Sequence, residues 1–160
     1  MTVSVTYLEW SDMQGKVLQT IDRHIVGRDE LFIRKLVNAS VIHNVLYEHT
    51  SNESELSQHA IYVIPFRGKE IAEYGRAIES SLSEFCDVAM RIEPEFWLWD
   101  NLGNRFIRGG TRLSPGEAAE IAQLLLDHYI VTDERTYECI YTVMDTDRRK
   151  ALFYLKEVKA

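Results

Sequence analysis

The residues best suited to chemistry are three arginines set around a glycine pair, Arg105, Arg108 and Arg112 about Gly109-Gly110-Thr111. This run leads into Leu113-Ser114-Pro115-Gly116-Glu117, where Ser114 has the character of an N-cap, Pro115 takes the first helical position and Glu117 the third. Glycine amides, a helix N-terminus and guanidinium groups are the donors a phosphate or carboxylate requires. Arg105, Arg108, Gly109, Gly110 and Arg112 therefore form a candidate anion site. A structural alternative is that the glycines turn the chain, Ser114 and Glu117 satisfy the helix donors, and the arginines solubilise an edge strand. The histidines His24, His43, His49, His59 and His128 show no HxH, HxxxH or HExxH spacing. No Cys or carboxylate falls at a ligand spacing with them either, so no metal centre is expected. With no GxSxG elbow to mark a nucleophile, no catalytic residue is assigned.

A second candidate is Ile61 to Ala77, IYVIPFRGKEIAEYGRA, an apolar strand that delivers Arg67-Gly68-Lys69-Glu70-Ile71-Ala72 into a helix. The segment resembles the acyl-CoA-binding segment of GNAT-type N-acetyltransferases. There a strand is followed by Arg or Gln, two free positions, Gly, one free position, and Gly or Ala. The resemblance implies an acyl-CoA-dependent transferase whose loop amides hold the cofactor's pyrophosphate, with Arg67, Gly68 and Ala72 at the cofactor. Glu70 departs from the pattern. It stands at the glycine position, adding a side chain and a negative charge where backbone would approach a pyrophosphate.

Charge points to a different class of function. Between Glu70 and Asp100, Glu70, Glu73, Glu79, Glu84, Asp87, Glu93, Glu95 and Asp100 face only Arg76 and Arg91, whereas Arg148, Arg149, Lys150, Lys156 and Lys159 face Glu157 near the C-terminus. A solvated helix face accounts for such an acidic run, and so does a surface that steers a basic partner. The leading expectation is a non-catalytic adaptor or inhibitor that binds a protein with a basic surface. Glu73, Glu84 and Asp87 at near-helical spacing, with Trp97 and Trp99 of an aromatic hairpin, are the expected contacts. This reading calls for no cofactor and is compatible with self-association. A small-anion or nucleotide binder built on Arg105 to Ser114 is a further alternative.

Composition sets the bounds. A length of 160 residues with 46% hydrophobic residues suits one domain with one substantial core. A formal charge of -7 disfavours phosphate-backbone binding, so no direct nucleic-acid partner is expected. No apolar run approaches a membrane span, and the N-terminus lacks a basic segment followed by an apolar one. The expected location is the cytoplasm, with Cys86 and Cys139 as reduced thiols.

The elements that would position these residues follow from periodicity. Thr2 to Trp10 alternates as a strand. Ser11 is placed to cap a helix with Met13, Val17, Ile21 and His24 or Ile25 on one face, and Asp29 to cap another. Asn38 to Glu48 fits a strand or a continuing helix, with its β-branched residues favouring a strand. The polar run Thr50 to Gln58 reads as a mobile loop, and His59 to Phe66 as a buried strand. Ile71, Gly75, Ile78, Leu82, Phe85, Ala89 and Ile92 form a helical seam, although Asp87 to Ile92 also fits a strand. Gly75 within it implies close packing against a neighbour. Phe96 to Arg108 is a hairpin, Ser114 to Tyr129 a helix, and Thr136 to Val158 a second hairpin. The sequence shows no internal repeat. The sum is a single α+β domain, a mainly antiparallel sheet with three to four helices packed on it, and with the stripe Ile78, Leu82 and Phe85 close to Ile121 and Leu125.

Overall fold

The computed structural model describes residues 1–84, 86–109 and 116–159. The elements in chain order are β1 (Thr2–Ser11), β2 (Lys16–Gly27), α1 (Arg28–Leu36), β3 (Ala39–Ile42), β4 (Val45–Glu55) and β5 (Gln58–Pro65). A 3-10 turn (Lys69–Ile71) and α2 (Ala72–Ser81) follow, then β6 (Glu93–Asp100), β7 (Arg105–Arg108), α3 (Ala118–Leu125), β8 (Tyr129–Thr132), β9 (Arg135–Asp145) and β10 (Lys150–Val158). Among the described residues no helix is long and apolar enough to cross a membrane.

The expected fold class is corrected. The chain is 53% strand and 20% helix, with one ten-stranded mixed sheet and three helices among the described residues. The order is β2-β1-β5-β4-β3-β9-β10-β6-β7, with β8 also on β9, and the pairs β1/β5, β3/β9 and β6/β10 are parallel. Four element assignments change, the simplest being that the helix expected over Ser114 to Tyr129 has Glu117 as its N-cap and ends at Leu125, while Tyr129 opens β8. The expected helix over Ser11 to Gly27 is β2: Val17, Ile21 and Ile25, four apart, share one parity and so suit one face of a strand as well as a helix. Ser11 does cap a turn, accepting from the Gln14 amide, but Gly15 at φ +61 reverses the chain into a hairpin. The expected loop Thr50 to Gln58 is mostly β4, held by pairing with β5 out to Glu55 and Gln58, with Leu56 at φ +52 in the turn. The long helical seam stops at Ser81, whose Oγ donates to the Ile78 carbonyl at 2.6 Å and competes with the backbone ladder. Asp87 to Ile92 is neither helix nor strand.

The sheet curls strongly. β1, β5 and β4 separate β2 from β3, which in a flat sheet puts them about 19 Å apart. Asp22 of β2 nevertheless lies 3.0 Å from His43 at the end of β3. Val3, Val5, Tyr7, Ile61 and Val63 fill the resulting trough, with Leu31 of α1 packed among them.

The fold is also an internal duplication that the sequence reading missed. β1-β2-α1-β3-β4-β5 and β6-β7-α3-β8-β9-β10 have the same order of elements and the same pairings. Tyr7 pairs with Ile61 and Leu8 with Tyr62, as Phe96 pairs with Phe153 and Trp97 with Tyr154. The β4 register breaks between His49 and Ser51, and that of β9 between Cys139 and Tyr141. The β3–β4 turn holds His43 and Asn44 at positive φ, as the β8–β9 turn holds Asp133 and Glu134. The first hairpins share a further device: Trp10 Nε1 donates to Asp12 and Trp99 Nε1 to Asn101, each two residues on. Strand order is mirrored and every strand direction reversed between the halves, which defines an approximate two-fold axis normal to the sheet.

α1 and α3 lie on one face, where Ile33 and Val37 share a cluster with Ile121, Phe96, Met144 and Phe153. α2 lies on the other, where Ile78 meets Trp97, Val143, Leu152 and Tyr154. The neighbours Val143 and Met144, or Leu152 and Phe153, fall in different clusters, as period-two alternation requires. Ile78 and Ile121 are therefore on opposite faces, and the expected stripe joining them is corrected; Phe85 lies outside the described residues. Ile78→Ala and Ile121→Ala should each cost about 2–5 kcal/mol, and the double variant should match their sum to about 0.5 kcal/mol. Urea titration of the three variants measures this, and a coupling above about 1 kcal/mol would contradict the two-face arrangement.

Candidate functional site

The described members of the arginine and glycine cluster do not converge. Arg105 and Arg108 are three positions apart on β7 and project to opposite faces. Arg105 Nε is 3.9 Å from Asp100 at the hairpin tip, whereas Arg108 Nε is 3.3 Å from Glu95 Oε1 and its guanidinium sits 4.9 Å over the Trp97 ring. Gly109, at φ +93, donates its amide to Phe96 O at 2.7 Å. Gly110, Arg112, Ser114 and Pro115 lie outside the described residues.

The loop that resembles an acyl-CoA segment is already occupied by the chain itself. The amides of Arg67 and Gly68 donate to Glu48 Oε1 at 2.6 and 3.3 Å, so a carboxylate from β4 sits where the resemblance puts a pyrophosphate. Ala72 is exposed at the first position of α2. Gly75 faces Gly68, but a Cβ there would meet the Gly68 Cα at 3.6 Å, an ordinary contact, so the close packing expected of it does not demand a glycine.

The acidic stretch is divided. Glu73 is exposed on α2, Glu84 follows the helix end, and Asp87 lies in the irregular segment, so the three do not share one helix face. Glu93 and Glu95 are neutralised within the molecule by Lys150 at 2.9 Å and by Arg108. Trp97 is only 2% exposed and cannot contact a partner. Trp99 is half-buried, edge-on to Tyr74 at 4.8 Å and to Phe106 at 5.1 Å.

The first half holds a network that residue spacing did not reveal. Arg34 of α1, 5% exposed, binds Glu30, the Tyr7 hydroxyl and, at 2.7 Å, His24 Nδ1. A guanidinium only donates, so His24 Nδ1 accepts and the ring proton sits on Nε2, which donates to Asp22 Oδ2 at 2.9 Å. That bond, with the Arg23 amide, holds the Asp22 carboxyl below its usual range. His43 Nε2 reaches the same oxygen. Two imidazoles on one carboxylate suggest a metal, but a ligating His24 would need a proton on Nδ1 to donate outward, and Arg34 blocks that. Among the described residues no cluster is suited to a metal ion. Asp22 and His24 alternate on one face of β2, a signal visible only once that segment is read as a strand.

Two further histidines lie on this side, His59 buried and His49 half-buried with its Nδ1 shielded from solvent. His59 Nδ1 accepts from Lys35 Nζ at 2.9 Å, and burial with the nearby cations lowers its pKa. His49 Nε2 pairs with Ser40 Oγ at 2.7 Å, and burial pushes the ring down to about 4.

The duplication exposes a second contrast, on the face away from α1 and α3. On the second half α2 covers this face, with Ser81 Oγ on the Tyr154 hydroxyl at 2.6 Å, and the crevice beneath Ser81, Glu84 and Cys86 shrinks to about 10 Å³. On the first half no described segment plays that part. Leu8, Trp10, Ala60 and Tyr62 are half-buried, Tyr62 donates to Glu53 at 2.9 Å, and an open hollow of about 400 Å³ lies among Thr6, Leu8, Arg23, Glu53, Glu55 and Ala60. A larger cleft of about 720 Å³ between the first turns of α1 and α3 sets Arg28, Arg91 and Arg149 against Asp29, Glu30 and Glu117 among the described residues.

Comparison with protein-family models, curated proteins and solved structures finds no match.

His49 sets a pH dependence. The folded chain holds His49 neutral down to about pH 4, whereas the unfolded chain takes up the proton near 6.5. This contribution to stability is whole above pH 6.5 and is lost as pH falls toward 4. Between pH 7.5 and 4.5 it should amount to about 2–3 kcal/mol. Urea titration of the wild type and His49→Gln at both pH values tests it; an equal loss in the two proteins would remove His49 as the source.

Proposed function

We propose that the protein acts by binding a protein partner, as an adaptor or inhibitor, and not by catalysis. The observation that carries this reading is the unequal treatment of two equivalent faces. α2 covers one, and the other leaves Leu8, Trp10 and Tyr62 half-buried, with Leu8 lining an open hollow beside the two aromatic rings. Aromatic side chains on a rigid sheet supply contact area at low entropic cost, which is why they anchor interfaces. Glu53 and Glu55 border the hollow against Arg23 alone, and the whole chain carries -7, so a partner with a basic surface suits it. The free thiols of Cys86 and Cys139 suit a reducing cytoplasm.

Site-specific photocrosslinking in the native host tests this reading. Benzoylphenylalanine at Trp10 or Tyr62 should trap a discrete adduct, and the same group at Leu126, 65% exposed on the helical face, should not. Adding Leu8→Arg should abolish the adduct. Equal labelling at all three positions, or none at Trp10 and Tyr62, would overturn the assignment.

A further inference from the structure

The covered half shows what the open half is shaped to hold. Leu8 matches Trp97, Trp10 matches Trp99 and Tyr62 matches Tyr154, because each pair occupies the same place in the paired strands. Glu55 and Asp145 likewise both end the strand that pairs with the last strand of their half. On the second half the occupant of this seat is α2. Tyr74 stands edge-on to Trp99, Ile78 enters the apolar cluster one turn later, and the helix end closes over Asp145, which Arg148 pairs at 3.0 Å. On the first half Glu55 is exposed with no partner among the described residues, and the hollow is open.

We propose that the outer face of the first half is the seat of an amphipathic helix from a partner protein. The helix docks as α2 docks on the second half, with a basic side chain near its C-terminal end directed at Glu55. Its apolar stripe needs an aromatic residue for the edge of Trp10 and an aliphatic one four positions later for Leu8 and Ala60, the spacing of Tyr74 and Ile78. The basic side chain supplies from the partner what Arg148 supplies to Asp145 within the chain. This inference rests on the protein-binding function proposed above and adds the form and charge of the ligand.

The probe is a synthetic peptide of residues 69–84, the chain's own covering helix, together with its E84K variant, which puts a cation where the helix end would meet Glu55. Each is titrated into the isotope-labelled full chain and followed by amide and indole resonances. Both peptides should shift Leu8, Trp10, Ala60 and Tyr62 and leave Trp97 and Tyr154 in place. The E84K peptide should bind about two- to fivefold tighter at low salt, and Glu55→Gln in the protein should erase that preference. Tyr62→Ala should weaken both peptides, and Glu55→Gln, an exposed surface change, keeps the charge test independent of folding. Shifts confined to Trp97, Trp99 and Tyr154 would show the peptide only replacing α2 and would overturn the proposal. No shift at millimolar peptide overturns it as well. So do shifts at Leu8 and Tyr62 that arise on concentrating the protein alone, because they identify a second copy as occupant. Crosslinks at Trp10 and Tyr62 together with a failed titration would sink the helical ligand and leave the protein-binding function standing.

Discussion

Two curled half-sheets become one sheet through the pairing of β3 with β9, and that pairing spans only Ala39 to Val41 against Val143 to Asp145. Three backbone pairs are a weak join, and side chains reinforce it at both ends. Asn38 and Thr142 bond reciprocally, the Asn38 amide to the Thr142 carbonyl at 3.0 Å and the Thr142 amide to Asn38 Oδ1 at 2.9 Å. At the other end Thr146 donates its amide and hydroxyl to the Val41 carbonyl, and the Asp147 carboxylate accepts the amides of His43 and Asn44 at 2.9 and 2.7 Å. Asp147 offsets the unfavourable backbone of that turn, since two consecutive residues at positive φ are most easily Asn-Gly. Every larger feature depends on this seam: the shared cluster under α1 and α3, the mirrored halves, and the opposite face that α2 covers on one side only.

Much of the second half was legible because its signals are local. The hairpins at Phe96 to Arg108 and Thr136 to Val158 are alternating runs broken by turn residues; in the first half α1 stands near the cap expected at Asp29, but its N-cap is Gly27 and Asp29 lies in the first turn. The errors cluster where a neighbouring strand, and not the segment's own residues, decides. β2 has helical spacing and a capping serine, and only pairing with β1 makes it a strand. The polar end of β4 is strand because β5 lies beside it. The duplication was hidden for a similar reason. What the halves share is register, a bulge and turn conformation, while identical residues reduce to Trp10 and Trp99, Tyr47-Glu48 and Tyr137-Glu138, and a few others. Geometry has been kept with little sequence to show for it.

The candidate site was less legible than the fold. Arg34, Tyr7, His24, Asp22 and His43 come from a helix, two strands and a turn, so no spacing rule could assemble them. The charge pattern misled in the opposite direction. An acidic stretch and a basic hairpin read as two poles, but β6 and β10 are parallel neighbours, so Glu93 meets Lys150. Charges that look like surfaces along a chain are often pairs across a sheet. What separates Glu55 from them is that no cation pairs with it among the described residues.

The seam also governs the order in which the molecule can assemble. Asn38 and Thr142 are 104 residues apart, so their contact closes a loop containing most of both halves. Loop closure on that scale is costly until each end is already ordered, and contacts of such range form late. Each half, by contrast, starts from a local hairpin. The chain should therefore pass through a stage in which two troughs exist, each with one edge open and part of its apolar lining wet. In that stage the free strand β3 of one molecule can pair with β9 of another once the protein concentration rivals the effective concentration set by the tether. Synthesis from the N-terminus lengthens the interval, since β3 waits for β9 until the second half has emerged.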